Sequence, residues 1–207
     1  MKPIAGYKNI VFDMGHVICE YDSRKAIARL TNDEKMINEI RWVVYNSAPW
    51  QMLDAGLDTE ENAFSRLLTR LSSDEAREIA RKSLVDFEEH NLWAKPGMDE
   101  VLRAIKARGQ NLYVLSNASL RFVDCWRRKF PCPELWDGVL FSAEVKCIKP
   151  QKYIYEIFFE RFGLVPEECF FIDDLQRNID AARACGMDGW AFRSGDVEEL
   201  KKVLEIA

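Results

Sequence analysis

Asp13, Ser116, Asn117, Asp173 and Asp174 share one placement: each closes or follows a short apolar run that stops abruptly. Ile10-Val11-Phe12 precedes Asp13, Leu112 to Leu115 precede Ser116, and Phe170-Phe171-Ile172 precede Asp173, while Val139-Leu140-Phe141 end in the same way at Ser142. If these runs are parallel strands, their carboxyl ends open on one crevice, where such sheets bind ligands. Three carboxylates gathered there repel one another unless a cation lies between them, and an all-oxygen set suits Mg²⁺ better than zinc. Lys149, in Lys146-Cys147-Ile148-Lys149-Pro150, follows the third run and can reach the same crevice. A carboxylate nucleophile, a hard cation, a lysine and a hydroxyl make a site for phosphoryl transfer, where positioning and charge neutralisation do most of the work.

Runs of this kind suit strands buried on both faces. Between them the period becomes helical. Met98 to Arg108 puts Val101, Leu102 and Ile105 on one face and stops at Gly109; Tyr153 to Phe162 stops at Gly163, and Asn178 to Cys185 at Gly186. Alternating strand and helix predicts an α/β fold, a Rossmann-like parallel sheet with helices on both faces. Residues 22–93 break the alternation. Asp58 or Thr59 can cap a helix through Leu71, and Ser72 with Glu75 offers a capping box for another running towards Phe87. No convincing strand is visible there, and Lys95-Pro96-Gly97 turns the chain back into alternation. The expected organisation is a core of residues 1–21 and 94–207 carrying a small helical subdomain of residues 22–93.

The order and spelling of these residues resemble the haloacid dehalogenase-like hydrolase superfamily. Phe12-Asp13-Met14-Gly15-His16-Val17 is similar to its first motif, Leu115-Ser116-Asn117 to the second, Lys149-Pro150 to the third, and Phe171-Ile172-Asp173-Asp174 with Asn178 to the fourth. The helical insert resembles the family's cap, which closes over the crevice and selects substrate. The resemblance implies that Asp13 attacks phosphorus and becomes an aspartyl phosphate, and that Asp13, the backbone carbonyl of Gly15 and Asp174 hold Mg²⁺. It implies that Ser116 and the amide of Asn117 bind phosphate oxygens, that Lys149 neutralises charge, and that Asp173 and Asn178 support the metal or its water. Phosphatases of the family usually carry a second aspartate two residues after the nucleophile, as general acid and base. Gly15 stands there instead, and that term is worth about 10²–10⁴-fold. The Asp-Met-Gly-His-Val spelling is similar to a glycine-bearing branch that includes bacterial hexose 1-phosphate phosphatases, whose anomeric leaving groups need an acid less. His16 is a candidate replacement acid.

The implied partner is a small phosphate ester. A formal net charge of −5, with no cluster of Lys and Arg, excludes the electrostatic footprint of a nucleic-acid binder. Six scattered cysteines form no C-x-x-C pair and read as reduced packing residues. Without a long apolar stretch there is neither a membrane span nor a secretion signal, and a cytoplasmic address is expected. His90 is expected at the surface without a partner, and Trp42, Trp50 and Phe64 as cap core with one or two lining a pocket. Competing readings are a metal-independent 2-haloacid dehalogenase, a signalling receiver, whose acidic pair would precede the phosphorylated residue rather than follow it, and a catalytically impaired protein that binds phosphate ligands.

Overall fold

The computed structural model describes residues 2–206; Met1 and Ala207, the outermost residues of the expected core segments, lie outside them. Its strands are β1 (Asn9–Phe12), β2 (Cys19–Tyr21), β3 (Leu92–Ala94), β4 (Asn111–Ser116), β5 (Gly138–Phe141), β6 (Cys169–Asp173) and β7 (Asp188–Ala191). Five of them form a parallel sheet in the order β5-β4-β1-β6-β7. All four apolar runs of the sequence are strands of this sheet. The edge strand β7 escapes a reading of the sequence because Asp188-Gly189-Trp190-Ala191 has neither an apolar run nor alternation.

Successive side chains of a strand face opposite sides, and the apolar residues divide accordingly. Ile10, Phe12, Leu112, Val114, Phe170 and Ile172 belong to one buried cluster. Val11, Tyr113, Leu115, Cys169 and Phe171 belong to another. Helices Lys152–Phe162 and Gln176–Ala184 supply the second cluster through Tyr155, Phe158 and Ile179. Helix Met98–Ala107 and the C-terminal helix Val197–Val203 supply the first. Burying each large side chain contributes about 1.5–3 kcal/mol, so a one-residue slip of register, which would exchange the two faces, is strongly disfavoured. The register therefore fixes which residue ends each strand.

Residues 25–91 are helical. Segments Lys25–Ala28, Glu34–Ile40, Ala48–Asp54, Glu60–Leu68, Asp74–Val85 and Phe87–Asn91 follow one another, with a π-helical stretch over Arg41–Tyr45. The chain enters and leaves this region through β2 and β3, an antiparallel pair with Cys19 opposite Ala94 and Tyr21 opposite Leu92. Three residues per strand are too few to show a period. Two caps differ from expectation. Thr59 caps its helix by accepting from the amide of Asn62 at 3.3 Å, but that helix stops at Leu68. Ser73, not Ser72, caps the next one, accepting from Ala76 at 3.1 Å. Ser72 is drawn away by Glu39, whose carboxylate accepts from its amide at 2.6 Å and its hydroxyl at 2.9 Å.

The helical region is not a separate droplet. Ile40, Val44, Trp50, Leu67, Ala80 and Phe87 join the same buried cluster as Phe122 and Phe141 of the sheet side. Trp42 is the exception, 65% exposed and outside the core that was expected for it. His90 is half-buried between Asp86 and Arg29, and so has the partners its sequence context hid. No helix among the described residues is long and apolar enough to cross a membrane.

Candidate active site

β1 delivers Asp13 to the end of the sheet, where its amide continues the ladder by donating to the carbonyl of Ile172 at 2.9 Å. Its carboxylate is then fixed from two sides: Oδ1 accepts from the amide of Met14 at 2.7 Å and lies 2.9 Å from Nζ of Lys149. Lys149 is itself buried. Its ammonium donates to the carbonyl of Leu115 at 2.9 Å and to Oδ2 of Asp173 at 2.7 Å. Asp173 is fully buried and fully engaged, since its Oδ1 accepts from the amide of Leu175 at 2.8 Å and from Nδ2 of Asn178 at 2.9 Å. Asn117 ties β4 to the lysine loop: Nδ2 donates to the carbonyl of Lys149 at 3.0 Å, and Oδ1 accepts from its amide at 2.8 Å. Ser116, at the end of β4, lies close enough to the Asp13 carboxylate to favour its charged form.

Carboxylate oxygens of Asp13, Asp173 and Asp174 lie within 4.8 Å of one another. Three acids thus face one ammonium, and the electrostatics register the shortage of positive charge. Burial pushes the Asp13 carboxyl up to about 6; Lys149 pulls against this and Asp173 adds to it. Asp174 is also raised, by burial and then by the charge of Asp173. For Lys149, burial works against the charge, but Asp13 and Asp173 outweigh it and hold the ammonium above its usual range. A divalent cation bound by Asp13, Asp174 and a backbone carbonyl would remove the deficit, and the donors are all hard oxygens, as Mg²⁺ prefers. Asn178 adds a buried Oδ1 with no partner among the described residues, an acceptor suited to metal-bound water. The residues fit the ion.

These groups form one end of a cavity of about 430 Å³. Tyr45, Trp50, Phe87, Leu92 and Phe122 line much of the rest, together with Tyr21, Gln51 and Asp54. Every residue expected to bind metal or phosphate, except Asp173, lines it: Asp13, Gly15, Ser116, Asn117, Lys149, Asp174 and Asn178. Asp173 stands behind Lys149. His16 also lines the cavity, but it is exposed and has a left-handed backbone, φ 59°. Of the aromatic residues named in advance, Trp50 reaches the cavity and Phe64 stacks behind it at 6.3 Å between centroids. Asp54, Tyr21, Tyr45, Phe87 and Phe122 were not identified beforehand. A glycine two residues after Asp54 marks a helix end, but nothing in spacing points that end at Asp13.

The family model of haloacid dehalogenase-like hydrolases matches residues 7–186. A sesquiterpene phosphatase of Aspergillus oryzae is 24% identical over 185 residues, which cover 88% of each chain. A crystal structure of a HAD family enzyme from Bacteroides thetaiotaomicron, in complex with magnesium and inorganic phosphate, superposes with a TM-score of 0.70 at 19% identity, covering 92% of this chain and 96% of that one. A dehalogenase crystal structure superposes with a TM-score of 0.67 at 18% identity, covering 92% and 87%. Likeness at these identities establishes the fold, while the match to the family model spans most of the chain and all four strand-end motifs. The chain belongs to the haloacid dehalogenase-like hydrolase family.

Proposed function

We propose that the protein is a Mg²⁺-dependent phosphatase of small phosphate monoesters, with Asp13 as the nucleophile that carries the phosphoryl group. The observation that carries this reading is the convergence of Asp13, Asp173 and Asp174 within 4.8 Å, with Lys149 bridging the first two. Asp13 and Asp174, with the carbonyl of Gly15, would hold the cation, which when bound neutralises charge on the phosphoryl oxygens. Lys149 supplies a fixed positive charge beside the attacked phosphorus, and Asp173 with Asn178 keeps it there. Ser116 and the amide of Asn117 bind the remaining oxygens. Residues 22–93 act as the cap and residues 1–21 and 94–207 as the core: the core holds the phosphoryl group, and the cap reads the leaving group and excludes water.

The phosphatase relative in Aspergillus oryzae supports hydrolysis of phosphate esters. Hexose 1-phosphates remain within this class on the strength of the Asp-Met-Gly-His-Val spelling, while the aromatic lining suits leaving groups with an apolar face as well. The dehalogenase reading is not favoured, because a metal-free mechanism leaves Asp174, close to Asp13 and Asp173, without a counter-charge. The test is release of phosphate from p-nitrophenyl phosphate and from a panel of sugar and alkyl phosphates. Turnover with Mg²⁺ that stops on chelation is expected. Undiminished activity under exhaustive chelation, or halide release from 2-haloacids without metal, would overturn it.

A further inference from the structure

Gly15 leaves the acid-base position empty in a literal sense. A Cβ at that position meets nothing within 4 Å, so no neighbouring side chain has closed over the point from which an aspartate side chain would start. A leaving group bound at the phosphoryl end must extend into the rest of the cavity, towards Tyr45, Trp50 and Phe122. Apart from Asp13 and Asp174, the cavity is lined by one carboxyl group, Asp54.

Asp54 is the last residue of helix Ala48–Asp54, and its position is set from below. Its carbonyl accepts a hydrogen bond from the hydroxyl of Ser142, just beyond β5, and the same hydroxyl accepts from the amide of Ala118 at 3.0 Å, in the loop after Ser116 and Asn117. Two residues on, Gly56 has φ +66° and sits so close to the Ala143 backbone that a Cβ would fall 2.2 Å from its carbonyl oxygen. Only glycine fits there. The end of this helix is therefore clamped to the core beside the loop that follows Ser116. The partners of the carboxyl are few: the Ser119 amide stabilises its charge, and the Tyr21 hydroxyl from β2 lies near enough to feel it. The other titratable groups around the cavity are His16, Tyr45, Asp13, Asp174 and Lys149, and the last three are bound up with one another.

We propose that Asp54, supplied by the helical region, is the general acid and base that replaces the missing residue at position 15. The inference rests on the phosphatase reading. In the first step an Asp13 oxygen bonds to phosphorus as the bond from phosphorus to the alcohol oxygen breaks, and the proton of the Asp54 carboxyl passes to that departing oxygen. In the second, the Asp54 carboxylate takes a proton from water as the water oxygen bonds to phosphorus and the bond to Asp13 breaks. Phosphate leaves and Asp54 is protonated again. The chemistry requires a carboxyl that holds its proton near neutral pH, and burial, opposed only by the Ser119 amide, pushes Asp54 up to about 8.

The experiment compares kcat/KM for n-propyl phosphate and p-nitrophenyl phosphate, with Mg²⁺, in the unsubstituted protein, Asp54→Asn and His16→Gln. An alkoxide needs a proton to depart and a nitrophenolate does not. Asp54→Asn is expected to lower the alkyl value about 10²–10⁴-fold and the aryl value far less, with His16→Gln leaving the alkyl-to-aryl ratio in place. The double variant Asp54→Asn, Gly15→Asp should regain part of the alkyl activity. Independently of turnover, the ¹³C resonance of the Asp54 carboxyl in the metal-free, unsubstituted protein should titrate well above the usual aspartate range. A carboxyl that titrates near 4, an equal loss for both esters in folded Asp54→Asn, or a ratio that drops in His16→Gln instead, would each overturn the proposal. If the unsubstituted protein hydrolysed neither ester, the phosphatase reading itself would fall and this inference with it.

Discussion

At the sheet end of the cavity the polar side chains form a network: Lys149 is held by Asp13, Asp173 and the Leu115 carbonyl, Asp173 by Asn178 and the Leu175 amide, and Asn117 by the Lys149 backbone. At the helical end the walls are rings, Tyr45, Trp50 and Phe87 packed within 4.9–6.0 Å of one another, with one sparsely bonded carboxyl, Asp54. Under the proposed function, the difference follows from what each end would recognise. A phosphoryl group has fixed geometry and charge, so a rigid, charge-assisted network suits it. Leaving groups vary, and dispersion contacts with aromatic faces read shape without demanding one hydrogen-bond pattern. Changes at the sheet end should therefore abolish chemistry on every substrate, and changes at the helical end should redistribute it.

Asp13→Asn gives the largest expected effect. The amide is nearly isosteric but a poor nucleophile, and kcat should fall about 10⁴-fold or more for every ester, with the fold intact by circular dichroism. Retention of a tenth of kcat would remove Asp13 from its role. Next comes Lys149→Met, which leaves Asp13 and Asp173 as buried carboxylates without their counter-charge; unfolding in urea at pH 7 should show a loss of about 3–5 kcal/mol. A loss below about 1 kcal/mol, as for a surface ion pair, would mean that the site is wetter than its burial indicates.

Trp50→Leu tests the other end. It should change the preference between bulky and small alkyl phosphates by about 10–200-fold while turnover of acetyl phosphate, whose leaving group is small and needs no acid, changes much less. Equal losses on all three would erase the contrast between the ends. A further expectation concerns stability. Because the Asp54 carboxyl is raised to about 8 in the folded protein and lies near 3.9 when unfolded, its contribution is complete below pH 4 and is lost as pH rises to about 8. In metal-free protein the Tm of Asp54→Asn should gain on the unsubstituted protein across that window and gain no further above it. A constant difference from pH 5 to pH 9 would show that the carboxyl ionises freely.

Much of the sheet end is legible in the residues themselves. Apolar runs such as Ile10-Val11-Phe12 announce strands buried on both faces, and a strand that stops at a charged residue places that residue at the sheet's edge, so Asp13, Ser116 and Asp173 converge by topology alone. The helical end carries no such rule. Trp42 and Trp50 both sit in a helical pattern, yet one is 65% exposed and the other lines the cavity. Ser72 and Ser73 are equal as caps on paper, and Glu39, 33 residues away, decides between them.

The sequence by itself determined the alternation of strands and helices, the helical insertion, and the group of carboxylates, lysine and hydroxyl at the strand ends, because those features depend on local period and on the fixed geometry of a parallel sheet. Only the tertiary structure decided which way the helical region faces. Arg121, which follows the loop after Ser116, reaches across to Glu60 at 2.8 Å, to Glu88 at 3.1 Å and to the carbonyls of Leu84 and Val85 at 3.0 Å, and lies over the Phe87 ring. Gly56 rests on Ala143, and the Asp54 carbonyl on Ser142. These contacts join residues 33 to 88 positions apart, and no periodicity encodes them. They arise when two already formed surfaces meet, and they bring Asp54, one acidic residue among many, to the wall of the cavity that Gly15 also lines.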